Sequence, residues 1–396
     1  MNIKNIHSYV ANIIEKVKNN GDAAVIQYTK KFDRVDLSKN GYKISAKTIN
    51  YITKNIPKLL IKTIKSSYSN VLAYHKYEYS NIKKKWNFSR NNLIVGQFYK
   101  SIESVGIYVP GGRYSYPSTV IMTAVPAMIA KVKRIVMVTP PKNMSNAVLF
   151  AAKLCGVKEI YSVGGVAAIA ALAYGTKTIK KVNMIVGPGN ALVNEAKRQV
   201  FGYVGIDSLA GPSEIAIIAD KYVSARYVVD DIMAQLEHDP TAKAYLLCDS
   251  ASKLFEIEKL IPQKKKGQIK IYNCSLLKAV CKVNDIAPEH LELLVKNYKT
   301  LQKYIKNAGA IFVGYQTPTA SGDYWAGPSH VLPTNGAAKF SSGLSVMTFL
   351  KRSSYIEMNK KDKMAYKIIA NFAEIENMKY HKESVKRRIW HPEKPK

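Results

Sequence analysis

The sequence predicts an α/β fold built on parallel strands, with helical segments at both ends. Three observations carry that expectation. From about residue 104 onward, short apolar runs close on Gly/Pro turns and give way to helix-like stretches, the alternation of strands joined by crossover helices. The chain has 396 residues, which at about 150 residues per domain gives two or three domains, each able to bury a real core. The first hundred residues and the last fifty read as mostly helical and lysine-rich, and so as accessory layers.

In chain order, Arg134–Thr139 (RIVMVT) reads as a buried strand closed by Pro140-Pro141, and 147–154 as its helix. A strand over 160–163 follows, and Gly164-Gly165 turns it into the alanine-rich helix 167–173, which stops at Gly175 as helices often do. Residues 182–186 repeat the plan, with the turn Gly187-Pro188-Gly189-Asn190 and a helix over 192–200. Glu214–Ala219 (EIAIIA) opens another round, with a helix over about 224–237 and a strand over 244–248. Near the end, 364–378 shows helical spacing of its apolar positions. Neither a fixed-period repeat nor a low-complexity linker marks a boundary.

Composition narrows the function classes. The 47% hydrophobic share is globular, and no apolar run approaches the roughly 20 residues of a membrane span, so a soluble protein without a membrane partner is expected. Lysines and an acid interrupt the opening MNIKNIHSYVANIIEKVKNNGD, which disfavours a secretory signal. Cys155, Cys248, Cys274 and Cys281 form no CxxC pair and are too sparse for a disulfide framework, which fits a reducing cytoplasm. The net charge of +32 is the one abnormal number. Nine of the 60 cations are arginine and the other 51 are lysines spread in short tracts, so the charge reads as a composition bias. No helix-turn-helix or RNP signature accompanies it, which argues against a nucleic-acid partner.

Six stretches could carry chemistry, three of them glycine turns. The glycine turns 109–112, 164–165 and 187–190 could bring backbone N–H groups to a phosphate, but none completes GxGxxG, and each alone reads more readily as an ordinary strand-to-helix turn than as a cofactor cradle. Gln235 and His238, three apart at a helix end, share a face and can both offer a lone pair to a metal; alternatively they are a polar helix end in solvent. Glu289 and His290 follow Pro288 and form either a general acid–base pair or a surface turn. The loop 322–330 (GDYWAGPSH) adds Asp323 and His330, and His381 is a possible fourth ligand. A Gln/His/Asp/His set without cysteine fits a catalytic zinc or related divalent ion. His7, His75 and His391 have no such company and read as surface residues.

Together these stretches resemble the histidinol dehydrogenase family. The likeness runs through VGIYVPGGRYSYPS (105–118), GGVAAIAALAYGT (164–176), VGPGNALVNEAKRQV (186–200), AGPSEIAIIAD (210–220), AQLEHDP (234–240), APEHLEL (287–293), SGDYWAGPSHVLPT (321–334) and FSSGLSVMTFLKR (340–352). It covers about residues 10 to 390. The resemblance implies a zinc- and NAD-dependent, four-electron oxidation of L-histidinol to L-histidine through L-histidinaldehyde, using two NAD, in the last steps of histidine biosynthesis. It implies Gln235, His238, Asp323 and His381 as metal ligands, His381 coming from a partner subunit, and Glu289 and His290 as the acid–base pair. Ser213, His330 and Glu376 would contact substrate, and Tyr108 and Asn190 would contact NAD.

The implied architecture is a domain-swapped homodimer of two incomplete Rossmann-like domains with parallel sheets and helical N- and C-terminal segments. The expected boundaries are an N-terminal arm over 1–20, an α/β domain over 21–105 with 215–345, a Rossmann-like domain over 106–214 and a C-terminal helical segment over 346–396. Two positions depart from the family pattern. Ala167 stands where a glutamine assigned to NAD is usual, so weaker cofactor binding is expected, and Trp325 replaces a small residue beside Asp323, where it either reshapes the approach to the metal or packs away.

Overall fold

The computed structural model describes residues 3–39, 41–111, 115–358 and 360–390. Gly112 of the first glycine turn and His391 lie outside the described residues. The chain divides into two units, Met1–Ser80 with Ser101–Phe349, and Asn81–Lys100 with Leu350–Lys396.

Four helices open the first unit: α1 (Ile3–Asn20), α2 (Asp22–Asp33), α3 (Ala46–Lys54) and α4 (Lys58–Ser80). The second unit begins with a correction to the helical reading of the first hundred residues. β1 (Lys85–Arg90) and β2 (Leu93–Ser101) pair antiparallel, Lys85 opposite Phe98 through to Arg90 opposite Leu93. Asn91 and Asn92 between them have φ of 49° and 61°, the left-handed pair that a two-residue hairpin turn requires and asparagine tolerates. The lysine run at 83–85 carries no strand signal of its own, and the turn is the local mark of the hairpin.

The first unit resumes with β3 (Ser104–Tyr108), α5 (Pro117–Ile129), β4 (Arg134–Thr139), α6 (Asn146–Leu154), β5 (Glu159–Ser162), α7 (Gly165–Tyr174), β6 (Met184–Val186), α8 (Ala191–Val200) and β7 (Gly205–Ile206). A second round follows with β8 (Glu214–Ala219), α9 (Ala225–Leu236), β9 (Lys243–Cys248), α10 (Ala251–Leu260), β10 (Ile269–Asn273) and α11 (Leu276–Ile286). It closes with β11 (His290–Leu294), α12 (Tyr298–Gln302), β12 (Ala310–Val313) and α13 (Thr319–Tyr324). The expected strand over 182–186 thus starts two residues later, at Met184.

The two sheets have the orders β5-β4-β3-β6-β7 and β10-β9-β8-β11-β12, and their ladders are parallel. Within each sheet the order is third, second, first, fourth, fifth, that of a Rossmann fold lacking its sixth strand. The central strands β3, β8 and β11 are buried along their whole length, as crossover helices on both faces require. The alanines of α7 let it sink completely between its neighbours α1 and α8.

The second unit ends with β13 (Leu350–Met358), which joins β2, then α14 (Lys363–Ile375) and α15 (Lys379–Trp390). The last fifty residues are therefore helical only after a nine-residue strand. The surface reading of His75 is also corrected. It is fully buried in α4, where its Nδ1 lies 2.7 Å from Oε2 of Glu78, one turn on, while its Nε2 is buried without a partner among the described residues. His7 is exposed as expected. No helix among the described residues is long and apolar enough to cross a membrane.

Candidate active site

The second sheet brings the acid–base candidates together at the amino ends of its central strands. β11 starts at His290, which lies opposite Ile215 of β8. The backbone of Glu214 grips both candidates: its N–H donates to Oε2 of Glu289 (3.1 Å), and its carbonyl accepts from Nδ1 of His290 (3.3 Å). With Nδ1 spent as a donor, Nε2 carries the free lone pair. Glu289 and His290 are 7% and 4% exposed, so the surface-turn alternative fails. The turn that delivers them starts at Ala287, which ends α11 in the left-handed region with φ 52°.

Burial sets the protonation of both groups. Loss of water, with the nearby charges of Asp323 and Glu214, pushes Glu289 up to about 8 against the pull of the Glu214 N–H. Burial also lowers His290, and His330 and His238 add to that, while Asp323 and the Glu214 carbonyl oppose it. The His290 ring rests 5.9 Å from the Phe312 ring, and a Cβ at Gly322 would stand 2.7 Å from that same ring. The glycine of the GDY loop therefore lets α13 close on the support of the base.

The metal candidates come from the end of α9 and from α13, which pack together. Gln235 is 2% exposed, so it is not part of a polar helix end in solvent, whereas His238, just past the helix, is exposed. The Asp323 charge reaches Glu289, His290 and His330, and His238 reaches His290 and His330. His330 Nδ1 lies 3.3 Å from the Asp323 carbonyl and 3.9 Å from its Oδ1, and Nε2 lies 3.4 Å from Thr119 Oγ1. Ser213, half-buried, immediately precedes Glu214.

The first unit thus gathers His238, Glu289, His290, Asp323 and His330, with Gln235 on the same helix end. Glu376, which follows α14, and His381, in α15, are exposed residues of the second unit. Among the described residues no three His, Cys, Asp or Glu side chains already stand in metal-holding range. The first unit does offer one amide, one imidazole and one carboxylate, a nitrogen–oxygen set without thiolate that suits zinc with positions left open.

The first sheet offers its carboxyl end, where the strand order reverses between β3 and β6 and a dinucleotide would be expected. Tyr108 closes β3; it is buried, which pushes its phenol up to about 12, and its hydroxyl accepts the N–H of Gly165 at the start of α7 (3.2 Å). Gly187 follows β6 with φ 111°, and any Cβ there would run into the Tyr108 carbonyl. Behind this turn lies an ion pair: Lys197 Nζ, on a residue 1% exposed, binds Asp207 Oδ1 (2.5 Å) and the Gly187 carbonyl (3.1 Å), while Gly187 N–H donates to Asp207 Oδ2 (2.7 Å). Asn190 caps α8, its Oδ1 accepting from the N–H groups of Leu192 and Val193, 3.1 Å each. Ala167, in the first turn of α7, is buried in the core cluster, and Trp325 ends α13 at 56% exposure, so it is not packed away.

The carboxyl end of the second sheet is closed by its own residues. The Asp220 carboxylate after β8 accepts from the Tyr315 hydroxyl (2.7 and 3.0 Å) and from the N–H groups of Tyr222 (2.9 Å) and Lys296 (2.7 Å). Neither this network nor the Lys197–Asp207 pair was visible in the sequence, where no local pattern marks the partners.

Comparison with known proteins agrees over the whole chain. The family described as histidinol dehydrogenase matches residues 1–389. A histidinol dehydrogenase of Thermosynechococcus vestitus is 43% identical over 95% of this chain and 91% of its own length. One of Methanococcus maripaludis is 40% identical over 98% and 94%. The crystal structure of histidinol dehydrogenase from Elizabethkingia anophelis superposes with a TM-score of 0.90 at 34% identity, covering 98% of this chain and 92% of that one.

Proposed function

The chain belongs to the histidinol dehydrogenase family, and on that premise we propose that it oxidises L-histidinol through L-histidinaldehyde to L-histidine, with one zinc ion and two NAD. The observation that carries the reading is the double grip of Glu214 on Glu289 and His290, which sets a buried acid–base pair beside Asp323 and His238.

Gln235, His238 and Asp323 would hold the metal, and His381 would complete it from the partner subunit of a homodimer whose helical ends exchange. When bound, zinc supplies a fixed anchor for the amine and imidazole nitrogens of the substrate, and NAD supplies the hydride acceptor of each oxidation. His290 Nε2 takes the hydroxyl proton as the carbinol carbon is oxidised, the Nδ1 bond to Glu214 keeping that nitrogen free. Glu289, in the carboxylate form that prevails as pH rises through about 8, takes a proton from the water that adds to the aldehyde. His330, Ser213 and Glu376 contact substrate, and Tyr108, Asn190 and the mouth of α7 at Ala167 line the NAD side. The burial of the pair shields the reactive amino aldehyde between steps.

Two outcomes follow. Purified protein should form NADH from L-histidinol, lose that activity on chelation and regain it with zinc; activity indifferent to chelation would contradict the metal assignment. Ala167→Gln should tighten NAD binding several-fold in a direct titration, and an unchanged dissociation constant would remove Ala167 from the cofactor site.

A further inference from the structure

Beneath the acid–base pair lies a second pair of acids that the reaction does not use. Glu292 stands on β11 two residues after His290 and is fully buried. Its Oε1 accepts the N–H of Thr319, the first residue of α13 (3.0 Å). Its Oε2 is buried and meets no donor, and its carboxyl lies against that of the half-buried Asp231, on α9 one turn before Gln235. Two carboxylates in that contact repel unless one carries a proton. The like charge of Asp230 adds to the repulsion, while the Thr319 N–H offsets part of it. Burial and the Asp231 charge hold Glu292 well above the usual carboxyl range, and burial raises Asp231 less, to about 6. Glu292, fully buried where Asp231 is half-buried and with Oε2 unbonded, is the partner that gives up its charge, and its carboxyl donates to Asp231.

We propose that the hydrogen bond from Glu292 to Asp231, together with that from Thr319 to Glu292, is a positioning device that locks α9, β11 and the start of α13 to one another. These elements carry Gln235 and His238, His290, and Asp323, so the bond sets the spacing of the metal donors relative to the base. This inference rests on the metal reading above. Loose supporting contacts around a metal site typically cost about 10- to 100-fold in affinity.

The test compares the full chain with Glu292→Gln, whose amide can donate to Asp231 and accept from Thr319, and with Glu292→Met, which can do neither. Asp231→Leu breaks the same bond from the more open side, and serves should Glu292→Met not fold. Zinc affinity is read by competition with a chromophoric chelator, and the infrared difference between wild type and Glu292→Gln is recorded without metal at neutral pH. The expected result is a protonated-carboxyl band present only in wild type, near-wild-type zinc affinity for Glu292→Gln, and about 10- to 100-fold weaker affinity for Glu292→Met or Asp231→Leu. Folded Glu292→Met or Asp231→Leu protein that binds zinc as tightly as Glu292→Gln would overturn the positioning role, and an absent band would overturn the shared proton. A wild-type chain that takes up no zinc would instead overturn the metal reading, and with it the clamp toward that metal.

Discussion

His290→Asn is expected to lower kcat by about 10²- to 10⁴-fold, the usual contribution of a placed general base. The asparagine amide can still donate to the Glu214 carbonyl, as His290 Nδ1 does at 3.3 Å, so the local fold should survive. What disappears is the acceptor at Nε2. Because the imidazole is buried and its pKa is lowered, it is neutral and ready to accept a proton at neutral pH. The check is steady-state NADH formation alongside the thermal midpoint of the variant. A kcat within tenfold of wild type, at unchanged stability, would show that another group takes the proton.

Lys197→Met is expected to destabilise the protein by about 3–5 kcal/mol, because it leaves the Asp207 carboxylate buried without its cation. The lysine and Asp207 side chains are 1% and 3% exposed, so water cannot replace the missing partner. The same change frees the Gly187 carbonyl and loosens the turn beside Tyr108, so NAD binding should weaken as well. Urea unfolding measures the first effect. The double variant Lys197→Met/Asp207→Asn, which removes the stranded charge, should recover part of the loss. A loss below about 1 kcal/mol, the scale of an exposed pair, would mean that the pair is hydrated in solution.

The elements most legible in the sequence were those whose signal is local. Arg134–Thr139 and Glu214–Ala219 are strands with the bounds their apolar runs announced, and Gly175 ends α7 where the alanine run stops. The hairpin at 85–101 was missed because its evidence was turn chemistry at Asn91-Asn92, masked by flanking lysines. Of the site, the sequence indicated Glu289, His290, Gln235, His238 and Asp323 as chemistry-bearing residues. It did not show that Gln235 is buried, nor that the pair emerges at the amino ends of β8 and β11, opposite to the end where such sheets usually bind ligands. The supporting pairs were the least legible. Lys197 reads as one more cation on an amphipathic helix, and Asp231 and Glu292 are 61 residues apart, brought together only by the packing of α9 on the second sheet.

The most direct test of the account counts the NADH formed per L-histidinol consumed by zinc-loaded protein with saturating NAD. The account predicts two equivalents and L-histidine as the product, since Glu289 is placed to activate the water that the second oxidation needs. One equivalent with released aldehyde would remove that role from Glu289, and no turnover would contradict the assignment of L-histidinol as substrate.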